Sequence, residues 1–212
     1  MEGTLRQGAG EPGLTLIETL AWDGTALVRL DRHLARLAAG AAALGWACDP
    51  RAAARALRAA VPAGPARMRL TLDGAGRLAV TAAPLPPAAA VWRVALAAGR
   101  LAAADPWLRI KSSRRPAYDA ARAALPAGVD ELILANEHDQ VCDGTITTVF
   151  FDAGAGMCTP PLDCGLLPGC LRAELLAQCR VRQAVLPVAA LPQVRLWVGN
   201  SARGLIPAVW TG

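Results

Sequence analysis

Lysine is nearly missing from this sequence. Of its 22 basic side chains only Lys111 is an amine, and the rest are arginine. A guanidinium stays protonated and is a poor nucleophile, whereas an ammonium can lose its proton and attack a carbonyl. Any side-chain amine chemistry therefore falls to Lys111. Aromatic residues are scarce as well, at 4% of 212 residues, and no basic run is interleaved with them. A net charge of +5 thus permits weak attraction to polyanions without pointing to a nucleic-acid partner, and small anionic ligands match it at least as well. No apolar run reaches membrane-spanning length, and MEGTLRQGAGEPG lacks an apolar stretch behind a basic one, so no membrane partner, no signal peptide and a cytoplasmic setting are expected. The six cysteines then read as reduced thiols. Cys158, Cys164 and Cys170 are evenly spaced rather than closely paired, and both histidines lie elsewhere, so no metal is expected. A Gly-rich dinucleotide fingerprint and a phosphate loop ending in Gly-Lys-Ser/Thr are also missing.

What the chain does have is apolar mass. Hydrophobic residues make up 54%, much of it alanine, which is a globular composition. The length suits one large domain or two small ones. LTLIETLAW (14–22) reads as a strand, Asp23-Gly24 as a hairpin turn and ALVRL (26–30) as the returning strand. Asp31 is placed to cap a helix to about Leu44, with Leu34, Leu37 and Ala41 on one face, and Asp49-Pro50 to open a second helix to about Ala60. ARMRLTLD and RLAVTAA flank Gly74-Ala75-Gly76 as another hairpin. A strand is expected around 91–97, a linker over 98–108 and a helix from about Pro116 to Ala124. ELILAN (131–136) and VCDGTITTVFFD (141–152) read as strands around an EHDQ turn. GLLPGCLRAELLAQC reads as a loop entering a helix, and the remainder as strands. The fold class is therefore mixed α/β (α+β) in two domains. A small N-terminal domain is expected over 1–100 and a larger sheet-rich one, with the lysine, over 101–212.

Several residues carry chemistry. Lys111 sits in LRIKSSRR, where the charge of Arg109, Arg114 and Arg115 favours a neutral, nucleophilic amine. Asp143, flanked by apolar residues, needs a partner if buried. In GLLPGCLRAELL, Gly169 lets backbone approach a ligand, and the helix that follows presents N–H groups and a positive dipole end to an anion. Gly199-Asn200-Ser201 adds hydroxyl and backbone donors. Arg36 lies near the edge of the apolar face of the first helix. His33 precedes it by three residues and reads as a packing and hydrogen-bonding residue rather than a general base.

Taken in order, five blocks resemble the class IV aminotransferase family of fold-type IV pyridoxal phosphate enzymes: LIETLAWDGTALVRLDRHLARLAAGAAALG, IKSSRRPAYDAAR, DELILANEHDQVCDGTITTVFF, GLLPGCLRAELL and GNSARGLIPA. The resemblance spans about residues 14 to 208. It implies the two-domain D-amino acid aminotransferase-like fold, with pyridoxal 5'-phosphate in the cleft between the domains and a homodimer. It implies Lys111 as the Schiff-base lysine, Arg36 as the phosphate-binding arginine, and Asp143 where the family usually has a glutamate facing the pyridine nitrogen. Thr147, Gly169, Cys170, Leu171 and Ser201 would also bind the cofactor, and Arg109, Arg114, Tyr118 and Arg203 are candidates for the substrate. Asp143 is one methylene shorter than glutamate, Thr148 stands where asparagine is common, and Tyr118 follows the lysine by seven residues rather than five. The compact length, RLDRHLARLAAGAAALG and GNSARGLIPA look most like 4-amino-4-deoxychorismate lyases of folate biosynthesis. These release pyruvate and 4-aminobenzoate from an aminodeoxychorismate-like substrate. The alternatives are an aminotransferase acting on branched-chain or D-amino acids and a non-catalytic relative that binds an anionic metabolite.

Overall fold

The computed structural model describes residues 2–85, 87 and 90–212, with the side chains of 2–4 left aside. The chain divides into two compact units, Met1–Pro87 with Ile110–Arg114, and Ala88–Arg109 with Arg115–Gly212.

In the first unit a short helix α1 (Glu2–Gly8) precedes strand β1 (Thr15–Trp22), helix α2 (Leu30–Leu44), helix α3 (Pro50–Ala59) and the hairpin β2 (Ala66–Asp73) and β3 (Leu78–Pro84). The strands form an antiparallel sheet in the order β1-β2-β3. Strand β2 alternates as a half-buried strand must: Ala66, Met68, Leu70 and Leu72 are buried, while Arg67 and Arg69 face water. Helix α2 buries His33, Leu37, Gly40, Ala41 and Leu44, a stripe turned slightly from the expected one. Gly40 allows the close approach of α2 to β1, since a Cβ there would stand 3.3 Å from Leu16 Cδ2. Asp49 caps α3 by accepting from the Arg51 N–H, with Pro50 in the first turn, as its sequence dictates.

Two local expectations fail between β1 and α2. No strand forms over 26–30, where only an isolated Trp22–Leu27 bridge is made. The Asp23 carboxylate instead accepts from Thr25 N–H, Thr25 Oγ1 and Ala26 N–H, which closes a tight loop. Arg29 then adopts a left-handed conformation (φ 58°) and α2 starts at Leu30, so Asp31 lies inside the first turn rather than capping it.

The boundary expected at 100/101 is also displaced, and Lys111 belongs to the first unit rather than the second. The reason is backbone pairing. Ile17 N–H donates to the Lys111 carbonyl at 2.8 Å, Ser113 N–H donates to the Thr15 carbonyl at 2.8 Å, and Leu16 bridges Ser112. The segment 110–114 is thereby held along the free edge of β1.

In the second unit eight strands form one mixed sheet. They are β4 (Trp92–Leu101), β5 (Glu131–Asn136), β6 (Val141–Gly144), β7 (Thr148–Asp152), β8 (Cys158–Thr159), β9 (Arg182–Gln183), β10 (Arg195–Asn200) and β11 (Gly204–Trp210), in the order β6-β5-β4-β11-β10-β7-β8-β9. Strands β4/β5, β4/β11 and β8/β9 pair in parallel and the rest antiparallel. Strands β6 and β7 are neighbours in sequence but far apart in that order, so the sheet curls until Gly144 N–H donates to the Thr147 carbonyl at 2.7 Å. Helix α4 (Pro116–Ala123) and helix α5 (Cys170–Ala177) complete the unit. Strands β5 and β7 are buried along their whole length, as continuous apolar runs in a covered sheet should be. Phe150 of β7 packs with Leu171 and Leu175 of α5 and with Val181.

The linker expected over 98–108 is ordered: β4 runs to Leu101 with an irregularity between Leu96 and Arg100, and a 3-10 turn spans Pro106–Arg109. The single strand expected over 141–152 is two, broken at 145–147 by the Gly144–Thr147 turn. In VRQAVLPV only Arg182 and Gln183 are extended in the sheet, and a 3-10 turn occupies Val188–Gln193.

Candidate active site

The first unit buries an acid in its apolar edge strand. Glu18 lies in the middle of β1 and is 2% exposed. Arg36 donates to it through two nitrogens, Nε to Oε1 at 2.9 Å and Nη2 to Oε2 at 2.6 Å. His33 Nδ1 stands 2.5 Å from the same Oε2. Positions 33 and 36 are three apart on α2, so both side chains come off one helical face. Burial pushes the Glu18 pKa up, but the charge and hydrogen bonds of Arg36, with those of His33, outweigh it and leave the group below its ordinary value. The carboxylate is therefore ionised at neutral pH. Burial pushes His33 down. The pairing with Glu18 only partly offsets this, and the charges of Arg36 and Lys111 push the same way as burial. The imidazole is therefore neutral at pH 7, and a carboxylate at Nδ1 selects the tautomer with its proton there. Lys111 itself is half-buried, fixed to β1 by its carbonyl and close enough for its charge to act on His33.

The second unit has its own buried acid. Glu131, at the start of β5, is 0% exposed. It accepts from Leu132 N–H at 3.1 Å, Thr145 N–H at 3.0 Å, Ile146 N–H at 3.1 Å and Thr147 Oγ1 at 2.9 Å, and also from Thr145 Oγ1. These bonds fix the turn that follows Asp143. A Cβ on Gly144 would fall 2.3 Å from Thr147 Oγ1, so glycine is required where the turn closes on the acid. Asp143 is 4% exposed at the end of β6. Its charge acts on Tyr118, whose phenol is pushed upward by burial and then by Asp143, and on the buried guanidinium of Arg172.

Two further loops join that turn. Asn200 Nδ2 donates to the Ile146 carbonyl at 3.1 Å, and Asn200 Oδ1 accepts from Ala202 and Arg203 N–H, which shapes the bend holding the buried Ser201. Gly169 is the N-cap of α5, and no side chain caps that helix. A Cβ on Gly169 would meet Thr148 Oγ1 at 2.7 Å, and one on Gly199 would meet the Gly204 carbonyl at 2.6 Å and Leu171 Cδ2 at 2.9 Å. Glycines thus let the start of α5 pack closely on Thr148 and let the strand leading to the Ser201 bend pack closely on Leu171, and the N–H groups of the first turn of a helix suit an anion.

Among the expected residues, then, Arg36 and Lys111 lie in the first unit, and Asp143, Thr147, Gly169, Cys170, Leu171 and Ser201 are gathered by the second. The proposed substrate arginines are dispersed. Arg109 pairs with Asp163 at 3.1 Å, Arg114 with Glu11 at 2.5 Å, and Arg203 lies over the Trp92 ring at 5.1 Å. Tyr118 has a buried hydroxyl with no hydrogen-bond partner among the described residues, and Arg115 lies 5.2 Å from its ring centre. An open depression of about 880 Å³ in the first unit, lined by Trp22, Leu27, Arg32 and Arg58 among others, contains none of these residues. Sequence reasoning missed Glu18 and Glu131 as partners. The signal available was one acid at the centre of the apolar LIETL and another at the head of the apolar ELILA.

A three-stranded unit that carries the sole lysine and a second unit built on an eight-stranded mixed sheet have the architecture of fold-type IV pyridoxal phosphate enzymes. The model of the amino-transferase class IV family matches residues 15–209, and the chain belongs to that family. It is a pyridoxal phosphate-dependent aminotransferase or lyase. A solved protein from Mesorhizobium loti, provisionally named an amino-acid aminotransferase, is 47% identical with a TM-score of 0.89, over 93% of this chain and 100% of its own. The 4-amino-4-deoxychorismate lyase from Pseudomonas aeruginosa is 24% identical with a TM-score of 0.79, over 92% and 82%. A hypothetical aminotransferase from Mycobacterium tuberculosis, in a form with α-ketoglutarate and PMP bound, is 22% identical with a TM-score of 0.82, over 97% and 84%. At these lower identities the last two establish the fold. No curated protein matches the chain. Among the described residues no helix is long and apolar enough to cross a membrane.

Proposed function

We propose that the chain is a 4-amino-4-deoxychorismate lyase-like enzyme, releasing pyruvate and an aromatic amine from an amino-bearing carboxylate substrate. The observation that carries the chemistry is the position of the sole lysine. Its backbone is locked to β1 beside the buried Glu18–Arg36 pair, and its charge is felt by His33. The lyase branch is supported by the RLDRHLARLAAGAAALG and GNSARGLIPA blocks and the compact length. Amino transfer to a 2-oxo acid is the second reading, favoured by the Mesorhizobium loti protein at 47% identity.

The donors present fit pyridoxal 5'-phosphate. An amine is available for its aldehyde, a guanidinium and an uncapped helix start for its phosphate, and a buried carboxylate for its ring nitrogen. When bound, the cofactor supplies an aldehyde that exchanges amines and a ring that withdraws electrons from the carbon beside the substrate nitrogen. Lys111 would hold the group through its Nζ, and that amine, once freed by the substrate amine, would take up and return the proton at the substrate carbon. Arg36 meets phosphate charge with a fixed guanidinium plane. The Cys170 and Leu171 N–H groups, offered past Gly169, and the Ser201 hydroxyl add donors without adding charge. Asp143 would offer a carboxylate to the ring nitrogen and so favour its protonated form. Thr147 serves the same end by bonding Glu131 and so fixing the turn after Asp143.

The test is purification with the cofactor, followed by parallel assays of pyruvate release from aminodeoxychorismate and of amino transfer to 2-oxo acids. Pyruvate without transfer selects the lyase, and transfer alone rejects it. Lys111→Ala should abolish the absorbance band near the visible edge and lower turnover by about 10³-fold or more. A colourless wild-type protein that refuses added cofactor overturns both branches and leaves a binding relative.

A further inference from the structure

We infer that His33, acting through Glu18, is a positioning residue that sets the plane of the Arg36 guanidinium. The inference rests on the phosphate role proposed above for Arg36. Glu18 receives Arg36 through the Nε–Nη2 edge, with Nε on one carboxylate oxygen and Nη2 on the other. A guanidinium is planar, so two bonds to one carboxylate make the two planes turn together. The plane in which Arg36 presents its charge to an anion is then decided by how Glu18 is rotated.

A glutamate carboxylate has little torsional preference of its own, because its terminal bond is a broad sp³–sp² rotor. His33 supplies the missing constraint. Its Nδ1 lies 2.5 Å from Oε2, the oxygen that also accepts Arg36 Nη2. The imidazole is 1% exposed on the buried face of α2, so the ring is held by its surroundings and in turn holds Oε2. Its neutrality matters. A neutral N–H orients the carboxylate without competing with Arg36 for its charge, as a second cation would. Relaxing the His33 contact should therefore loosen the aim of Arg36 while leaving its charge, its partner and Lys111 in place.

Packing alone would make His33 matter to stability but not to phosphate recognition. The experiment separates these by comparing pyridoxal 5'-phosphate with pyridoxal, which carries the aldehyde without the phosphate. Both are titrated by the absorbance of bound ligand into wild type, His33→Leu and His33→Asn, with melting temperatures recorded alongside. His33→Leu should weaken the phosphorylated ligand about tenfold and pyridoxal by less than about twofold, the loss expected for one hydrogen bond to a charged group. His33→Asn, whose amide places an N–H where Nδ1 stood, should recover the phosphorylated ligand to within about threefold. Should the leucine variant not fold, His33→Gln, which offers no donor at the Nδ1 position, takes its place with the same expected loss. Equal weakening of both ligands, or none, with a wild type that binds both, overturns the role of His33 alone. A wild type that takes up neither ligand overturns the proposed function and this inference with it.

Discussion

Glu18 and Glu131 are both carboxylates sealed in apolar strands, yet the two units answer them in opposite ways. Around Glu18 the partners are a guanidinium and an imidazole, side chains from the neighbouring helix. Around Glu131 they are backbone N–H groups and threonine hydroxyls from a single turn, with a cation, Arg122, standing 3.6 Å away and 41% exposed. A buried carboxylate requires several donors in either case. What differs is what the donors are worth elsewhere. Neutral donors drawn from one turn fix that turn, which makes Glu131 an architect of the backbone after Asp143. A charged donor on a long side chain is itself a tool, and holding it makes Glu18 a means of aiming Arg36.

The largest effect expected from breaking this contrast is at Arg36. Arg36→Leu removes the guanidinium bonded to both Glu18 oxygens and strands an ionised carboxylate beside a neutral imidazole. Removing one partner of a buried ion pair costs about 3–5 kcal/mol. Chemical denaturation monitored by far-UV circular dichroism should show a loss of that order. A loss below about 1 kcal/mol would mean that Glu18 is not held as a buried charge.

The same contrast explains how far the sequence could be read. Elements whose instructions are local came through: the alternation of ARMRLTLD, the Asp49-Pro50 start of α3, the Pro116 start of α4 and the apolar run of ELILAN. Boundaries decided by a buried side chain did not. A reader of VCDGTITTVFFD cannot see that Glu131, ten residues upstream of the strand's first residue, will gather Thr145, Ile146 and Thr147 and split the strand in two. Nor does ALVRL announce that Asp23 will bind the chain back on itself and leave Arg29 left-handed. In the site, Lys111, Arg36 and the Gly169–Leu171 segment were nominated as candidates by motif order. The acids that organise them were not, because the partner of Arg36 lies 18 positions away on another element and only the fold brings the two together.

A smaller effect should appear with pH, and its sign follows from the directions at His33 and Glu18. Burial first of all lowers the His33 pKa below its ordinary 6.5, so the unfolded chain binds a proton there before the folded one does. Stability from this group is complete above about 6.5 and is lost as pH falls below it. Glu18 is held below its ordinary 4.5 by Arg36 and His33 against the opposing effect of burial, so a second loss begins as pH falls under that value. Denaturation midpoints should therefore decline in two stages on acidification, and His33→Asn should remove the first stage while keeping the second. A first stage that survives the substitution would assign it to another group.

The smallest effect, and the sharpest control on the contrast, is at Arg122. Its guanidinium nitrogen lies 3.6 Å from Glu131 Oε1, and the same nitrogen donates to the Asp130 carbonyl at 3.0 Å. Were charge the requirement for any buried acid, Arg122→Ala would be as damaging as Arg36→Leu. The geometry argues otherwise, because five donors from neighbouring backbone and threonines already reach the Glu131 oxygens. Partly exposed pairs are weakened by solvent, and the expected cost of Arg122→Ala is below about 1 kcal/mol. Hydrogen exchange at the amides of Thr145 and Ile146 reads the turn directly: protection unchanged in Arg122→Ala supports neutral donors as sufficient for Glu131. Protection lost there would make Arg122 the true counterpart of Arg36 and erase the distinction between the two units.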